Sequence, residues 1–194
     1  LASLRSALES MEKVEDEGLR RQLTEIAAHD VRRIDRLVTE IADASRIDAE
    51  LSRSTFEPVD MLKLLKAAVA ERESRSVNGS CRVLVSRRGV DDCVVPGVPA
   101  RLERVIENLL DNAVSFSPPD GTIEVVAASL YGRVVIAVSD HGPGIPPLAR
   151  EKVFERFHSL RPAGEDFGSH SGLGLAIART IVEAHYGSLS ALDR

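Results

Sequence analysis

The sequence predicts an α+β fold in two parts: an N-terminal helical hairpin and a two-layer α/β sandwich. A near-heptad series of apolar residues runs from Leu19 to Leu51, which is typical of a long helix that packs against other helices. Beyond Pro58, short strand patterns alternate with amphipathic helix patterns and glycine-rich turns, as in a sheet covered by helices. We therefore expect the hairpin over residues 1–54 and the sandwich over residues 55–194.

The composition predicts a soluble globular protein. Of the 194 residues, 43% are hydrophobic and 28% are charged, and the net charge is −5. This charge argues against nucleic acid or an anionic membrane as the main partner, because both require a dominant basic patch. Cys81 and Cys93 are too few for a disulfide framework and lack metal-ligand spacing. No apolar run reaches membrane-spanning length, so we expect any membrane attachment to come from upstream segments.

The N-terminal region has two helix patterns joined by an acidic, glycine-containing connection at residues 14–18. Each pattern has only one apolar stripe, so we expect a homodimer in which two hairpins bury their stripes in a four-helix bundle. The first pattern is the shorter, and we expect its N-terminal part to be missing. The stripe residues are Leu1, Leu4, Leu8 and Met11 in the first helix, and Leu19, Leu23, Ile26, Ile34, Leu37, Ile41, Ala44 and Leu51 in the second.

The second region is predicted to contain three helices and several short strands. A turn at Tyr131-Gly132 should join two of the strands as a hairpin. A last strand should begin near residue 189, and at least one closing strand is expected to be absent. The predicted helices cover residues 61–75, 99–117 and about 172–186, and the predicted strands cover residues 82–86, 93–95, 122–128 and 134–139.

Three motifs in this region could carry chemistry. Asn108 and Asn112 lie one helical turn apart and share a face, where amide carbonyls could orient a phosphate-bound Mg²⁺, although such a pair is also typical of a polar surface. Asp140 follows a strand and precedes two glycines, so it could accept a hydrogen bond from a purine amine or form an acidic turn. Glycine-rich residues 168–175 open a helix, whose free N–H groups favour an anion. Residues 143–171 could form a mobile lid.

Together the motifs resemble those of bacterial sensor histidine kinases. The asparagine helix resembles the N box, DHGPGIP the G1 box, VFERFHSL the F box and HSGLGLAIAR the G2 box. The hairpin resembles the dimerisation and phosphoacceptor domain. Within the family, the strings HDVRRIDRL, DASRIDAEL and NAVSFSPP look most like ChvG-type envelope-sensing kinases of alphaproteobacteria. The resemblance implies the GHKL, or Bergerat, ATP-binding fold that gyrase and heat-shock chaperone ATPases share.

The resemblance also implies roles for single residues. It implies that Asn112 holds Mg²⁺, that Asn108 lies beside the phosphates as the second catalytic amide, and that Asp140 binds the adenine amine. Arg156 and Arg161 become candidate phosphate contacts, with exposed ion pairs as the alternative for each. The remaining implied contacts are Gly142, Gly144 and Ile145 around the adenine, Phe154 and Phe157 as lid anchors, and Ser171, Gly172, Leu173, Gly174 and Leu175 at the phosphate-binding hinge.

The chain departs from the family pattern in two places. Ser115 stands where the N box often has a lysine, so a cationic phosphate contact is lost or supplied elsewhere. The H-E-L-K-N-P-L motif is absent, and residues 1–5 resemble the text that follows it, so we expect the acceptor histidine just upstream of Leu1. His29 is the alternative acceptor within the chain, and otherwise a helix-face histidine.

The resemblance implies ATP-dependent transfer of a γ-phosphoryl group to histidine, then to an aspartate of a response regulator. We expect the cytoplasmic portion of an inner-membrane sensor kinase that cannot phosphorylate itself as this fragment. One alternative is a related hydrolytic ATPase, which needs a glutamate to activate water. Asn108 stands in that place and cannot take a proton, while Glu107 points off that face. A second alternative is a catalytically silent ATP-binding scaffold.

Overall fold

The computed structural model describes residues 6, 10, 16–28, 31, 34, 54–89, 92–158 and 172–192. These residues fall into two compact units, the first containing the described residues up to 34 and the second containing those from 54 onwards. Much of the predicted second stripe lies outside the described residues, as does His29. The predicted domain boundary after residue 54 stays a prediction.

In the first unit, residues 17–28 are helical and begin at a side-chain cap. Asp16 Oδ1 accepts hydrogen bonds from the backbone N–H groups of Gly18 at 2.7 Å and Leu19 at 3.0 Å, which satisfies two donors that a helix start leaves unpaired. The prediction that this helix starts near Leu19 was therefore wrong by two residues, because Asp16 is a cap and not part of the connection. Leu19 and Ile26 of the predicted stripe are each 47% exposed.

The second unit contains five strands and three helices among the described residues. Strand β2 pairs in parallel with β4, which pairs antiparallel with β5, and β1 pairs antiparallel with β3 in a separate two-stranded sheet. The elements are β1 (Glu57–Asp60), α1 (Met61–Ser74), β2 (Arg82–Arg88), β3 (Val94–Gly97), α2 (Pro99–Phe116), β4 (Thr122–Leu130), β5 (Arg133–Ser139) and α3 (Gly174–Ala184), with 3₁₀ turns at Pro147–Ala149 and Lys152–Phe154.

The core lies between one face of the larger sheet and the helices. Ile123, Val125 and Ala127 alternate along β4 and are fully buried, as expected for the inner face of a strand with a side-chain period of two. Leu65 of α1 and Leu110 of α2 belong to the same buried cluster. The predicted two-layer sandwich and the predicted β4–β5 hairpin are confirmed.

Two strand predictions were wrong. Strand β1 was missed because Pro58 suggests the end of a helix and no strand, yet Pro58 pairs with Pro96 of β3; a two-stranded sheet consists of edge strands, which tolerate proline. Residues 187–192 form no strand. They follow the end of α3, where Gly187 N donates to Val182 O at 2.9 Å. A strand forms only where a neighbouring strand pairs with it, and no described strand pairs with these residues.

Candidate nucleotide site

Helix α2 is the centre of the candidate site. Asn108 is 8% exposed, and its Oδ1 lies 3.5 Å from the position that a Cβ on Gly174 would occupy, at the start of α3. Its Nδ2 is buried without a hydrogen-bond partner among the described residues. Leaving such a group unpaired costs about 1–3 kcal/mol. Because Oδ1 and Nδ2 interchange by a half-turn of the amide, Asn108 can offer either a donor or an acceptor to a ligand.

The C-terminal end of α2 meets the turn that contains Asp140. Asp140 Oδ1 accepts a hydrogen bond from Gly142 N at 2.8 Å. A Cβ on Gly142 would lie 2.7 Å from the carbonyl oxygen of Phe116, so only glycine allows the turn to approach the helix this closely. The half-buried Asn112 lies one turn before Phe116 and one turn after Asn108. Helix α2 therefore brings the predicted amides and the predicted adenine turn together.

Two further contacts shape this turn. His141 Nδ1 lies 2.8 Å from the carbonyl oxygen of Thr122, which anchors the turn to the start of β4. Gly144 has a φ of +73°, a conformation that favours glycine. The half-buried Ile145 accepts a bond at its carbonyl from Arg150 Nε at 3.4 Å. The backbone around the proposed adenine position is thus fixed on both sides of Gly142.

The predicted lid anchor Phe154 packs against α3. Phe154 is 8% exposed, and the guanidinium carbon of Arg179 lies 5.1 Å from its ring centroid, within the range of a cation–π contact. Arg179 also bonds Glu151 and Glu183, each at 3.0 Å. The hydrogen bonds that Arg179 donates to Glu151 and, second, to Glu183 raise the pKa of Arg179 above its ordinary value. Arg179 therefore ties the 3₁₀ turn to α3.

Phe157 and Gly172 join the two ends of segment 159–171. Phe157 N donates to Gly172 O at 3.0 Å. Gly172 has a φ of +71°, and a Cβ there would lie 3.0 Å from the carbonyl carbon of Phe157. The Phe157 ring is 63% exposed, so this residue anchors the segment through its backbone. Phe157 also has a φ of +64°, which is strained for a bulky side chain.

The first turn of α3 lies beside Asn108. Its N-cap is Leu173, whose side chain is buried in the core, and within the described residues no side chain caps the helix. Backbone N–H groups at such a helix start, together with the helix dipole, favour a bound anion. Gly174 begins the helix and the half-buried Leu175 follows it. The predicted hinge residues Gly172 to Leu175 thus lie next to the predicted amide.

The geometry of the candidate site does not rest on four other residues that the sequence analysis considered. Arg156 is exposed and Ser115 is half-buried. Arg161 and Ser171 lie outside the described residues. The sequence analysis missed Arg179, although its position four residues before Glu183 is typical of an ion pair within a helix. The contact with Glu151 could not be predicted, because the two residues lie 28 positions apart. Among the described residues, no group of three or more His, Cys, Asp or Glu side chains could hold a metal.

These residues fit a bound nucleotide. The buried amide of Asn108 and the start of α3, neither of which has a side-chain partner within the described residues, suit a polyphosphate. The close approach at Gly142, further along the same helix, suits a flat ring. Amide oxygens and phosphates together suit Mg²⁺, which prefers oxygen ligands.

Within the described part of the chain, no helix is long and apolar enough to span a membrane.

The family comparison agrees with this geometry. Residues 97–194 match the family of histidine kinase-, DNA gyrase B- and HSP90-like ATPases. The chain belongs to this family. It is also 43% identical over 199 residues to the sensor protein ChvG of Rhizobium meliloti (strain 1021), covering 98% of this chain and 34% of ChvG. The predicted family, a ChvG-like sensor histidine kinase, is therefore confirmed. The chain spans about a third of the length of the curated relatives it matches.

Solved structures support the same fold. A solved structure of the mycobacterial sensor histidine kinase MprB aligns with a TM-score of 0.58 at 36% identity, covering 70% of this chain and 83% of the chain in that structure. Histidine kinase ThkA, in complex with response regulator protein TrrA, aligns with a TM-score of 0.76 at 23% identity, covering 98% of this chain and 53% of that chain. At that identity, ThkA bears on the fold alone. Membership of this ATPase family implies that the domain binds ATP.

Proposed function

We propose that this chain is the ATP-binding core of a sensor histidine kinase. It binds Mg-ATP along α2 and transfers the γ-phosphoryl group to a histidine, for relay to an aspartate of a response regulator. The observation that carries this proposal is the buried amide of Asn108, unpartnered within the described residues, beside the uncapped first turn of α3. Most buried polar side chains in folded proteins are hydrogen-bonded, so this amide is a group that a ligand would satisfy.

Asp140 selects the base in this proposal. One of its oxygens already accepts the Gly142 N–H, which holds the carboxylate in a fixed orientation. An ionised carboxylate has acceptor capacity for about four hydrogen bonds, so it still accepts one from the exocyclic amine of adenine. A guanine presents a carbonyl at the equivalent place, and two acceptors repel each other. The site should therefore prefer ATP to GTP.

Asn108 and the start of α3 bind the polyphosphate. The backbone N–H groups of the first turn donate to phosphate oxygens, and the Asn108 amide completes the contact. Asn112 would hold Mg²⁺, which neutralises phosphate charge when bound. Phe157 N donates to Gly172 O, which holds Gly172 beside this first turn of α3. Positioning of this kind supplies most of the catalysis in phosphoryl transfer.

The same residues disfavour transfer to water. Asn108 is an amide and cannot accept the proton of an attacking water. The neighbouring carboxylate, Glu107, lies 3.8 Å from Arg104 Nη1. Both line a polar groove with Glu71 of α1, whereas Asn108 faces Gly174. A neutral histidine nitrogen is already a nucleophile near pH 7 and needs no such base.

The N-terminal unit supports a homodimer. Leu19 and Ile26 of the predicted stripe, and the neighbouring Val31, are about half exposed. Burying side chains of this kind contributes about 1.5–3 kcal/mol each, so a second hairpin is the natural partner. We further propose that a receiver domain of a response regulator docks on this core, as TrrA does on ThkA. Both partners would meet it in the cytoplasm, beneath a membrane-bound sensor.

Reconstitution tests the proposal. Residues 1–194 should be compared with a longer chain that carries an acceptor histidine upstream of Leu1, each incubated with radiolabelled Mg-ATP. We expect acid-labile labelling of the longer chain and none of residues 1–194 alone, and Asp140→Asn should reduce the labelling. Absence of labelling in the longer chain would contradict kinase activity. Stable labelling of residues 1–194 alone, mapped to His29, would instead contradict the proposal that the acceptor lies upstream.

A further inference from the structure

We propose that His185 is a positioning residue for the nucleotide site. Its ring links the C-terminal end of α3 to the N-terminal end of α2 by a hydrogen bond. This link fixes the position of α3 along α2 and so keeps Asn108 beside Gly174. This inference rests on the proposed function, because it assigns His185 a part in binding Mg-ATP. Nothing in the family motifs quoted above includes this residue.

Both nitrogens of the His185 ring are used. Val98 N donates to Nε2 at 3.1 Å, and Nδ1 lies 2.7 Å from the carbonyl oxygen of Ile181. A backbone N–H can only donate and a carbonyl can only accept. Nε2 therefore carries no proton, and Nδ1 carries one. These two bonds require a single tautomer of the neutral ring.

This link lies at the start of helix α2, where the N-cap residue makes no side-chain bond of its own. The N-cap is Val98, which makes no side-chain cap bond, and Pro99 follows it. Valine is among the poorest N-cap residues. The Val98 carbonyl accepts the first helical bonds, from Arg101 N at 3.0 Å and Leu102 N at 3.1 Å. His185, 87 residues further along the chain, binds the remaining N–H of this cap residue.

The surroundings hold the imidazole in place. Phe56, just before β1, stacks on the ring with centroids 4.9 Å apart and planes 19° apart. On the other side, a Cβ on Gly97 would lie 3.1 Å from His185 Cδ2 and 2.7 Å from Leu102 Cδ1. The ring thus occupies space that any other residue at position 97 would fill.

The link acts on the nucleotide site through two antiparallel helices. Ten residues separate Val98 from Asn108 along α2, and eleven separate Gly174 from His185 along α3. At about 1.5 Å per residue, the two spans are roughly 15 and 16.5 Å. The two helices are therefore pinned at matching points, by His185 at one end and by the Asn108–Gly174 contact at the other. Sliding of α3 along α2 would break both contacts together.

Three variants separate positioning from stability. His185→Phe keeps a ring for the Phe56 stack but removes both hydrogen bonds. His185→Gln keeps one donor and one acceptor without the ring. Val83→Ala removes a buried side chain of β2 and serves as the control that lowers the Tm without touching either helix end. For each, the Tm and the Kd for Mg-ATP should be measured by thermal unfolding and isothermal titration.

We expect His185→Phe to raise the Kd by about tenfold, the affinity equivalent of losing the Val98 N–H bond alone, because Ile181 O keeps its bond from the backbone N of residue 185. His185→Gln should lie closer to wild type, and Val83→Ala should leave the Kd unchanged at a lowered Tm. An unchanged Kd in His185→Phe would overturn the inference. The inference would also be overturned if Val83→Ala raised the Kd as much as His185→Phe did for the same loss of Tm. In that case His185 would act only by stabilising the fold.

A second measurement needs no nucleotide. Long-range ¹H–¹⁵N NMR should show the Nδ1–H tautomer of His185, and the side-chain amide signals of Asn108 should move in His185→Phe but not in Val83→Ala. Unmoved Asn108 signals would overturn the inference. If His185→Phe does not fold, Phe56→Leu loosens the same ring and should move the same signals by less. Failure of wild-type protein to bind Mg-ATP would contradict the proposed function alone.

Discussion

The two units of this chain differ in how they bury their apolar residues. Among the described residues of the first unit, the stripe positions Leu19 and Ile26 are half exposed. In the second unit, Leu65, Leu110 and Ile123 are fully buried between helices and sheet. The second unit therefore has its own hydrophobic core, whereas the described part of the first unit leaves apolar side chains half exposed. This difference agrees with the proposal that the nucleotide domain serves a dimeric helical bundle.

The largest expected effect falls on the helical unit. A Leu19→Glu and Ile26→Glu double variant should raise the dimer dissociation constant by a factor of about 100 to 10,000, because burying the exposed half of four apolar side chains per dimer contributes roughly 3–6 kcal/mol in all. Analytical ultracentrifugation measures this constant. The exposed Arg21 lies two residues from Leu19, away from the stripe, so Arg21→Glu is the matched charged control. A double variant that remains as dimeric as this control would contradict the contrast between the units.

The second-largest effect is expected from Gly142→Ala, which should weaken nucleotide binding without changing the helical unit. Gly142→Ala places a Cβ 2.7 Å from the Phe116 carbonyl, and overpacking of this kind costs about 1–3 kcal/mol. We expect the Kd for Mg-ATP to rise tens-fold to about a hundredfold, with dimerisation unchanged. Gly132→Ala is the control, because its Cβ would meet nothing within 4 Å. Equal affinities in the two variants would show that the Asp140 turn does not need its close approach to α2.

Asp140→Asn should have an effect of similar size on the same domain. The amide retains an oxygen for the Gly142 N–H but loses the charge, and a hydrogen bond to a charged group contributes about 1.5–3 kcal/mol. We expect roughly a tenfold or greater rise in the Kd for ATP and a reduced preference for ATP over GTP. Competition titrations with both nucleotides measure this. An unchanged ATP-to-GTP ratio would remove Asp140 from base recognition.

Two helix caps allow each unit to be weakened separately. Asp16 caps the 17–28 helix through two backbone N–H groups, and its replacement by alanine should cost about 1 kcal/mol. We expect Asp16→Ala to lower helix protection in hydrogen exchange within the first unit only. Faster exchange in α1 or α2 of the same variant would show that the units are not independent.

Asp60 is the corresponding cap in the second unit and predicts a small pH effect. Its side chain accepts the Lys63 N–H at 3.1 Å, and this bond holds the pKa of the carboxyl below its ordinary value. Because the pKa of Asp60 is lower in the folded than in the unfolded protein, its carboxylate contributes fully to the free energy of unfolding above the unfolded-state pKa. This contribution is lost as the pH falls through the folded-state pKa. Denaturant unfolding of wild type and Asp60→Ala should therefore converge in acid. A constant difference across that range would contradict the cap.

Much of the second unit could be predicted from sequence because its signals are local. The apolar period of α2 locates its helix to within one residue, and the four quoted motifs indicate Asn108, Asp140 and Gly174 as site residues. The contacts between elements could not be predicted. Neither the pairing of Pro58 with Pro96 nor the bond from Val98 to His185 leaves a periodic trace, since each joins distant positions whose proximity only the fold determines.

A structure of this chain with Mg²⁺ and a non-hydrolysable ATP analogue is the most direct measurement. We predict the adenine amine within hydrogen-bond distance of the Asp140 carboxylate, the metal on the Asn112 amide oxygen, and the phosphates between Asn108 and the first turn of α3. A nucleotide bound elsewhere, for example in the groove lined by Glu71 and Glu107, or with its phosphates away from Asn108, would contradict the proposed site.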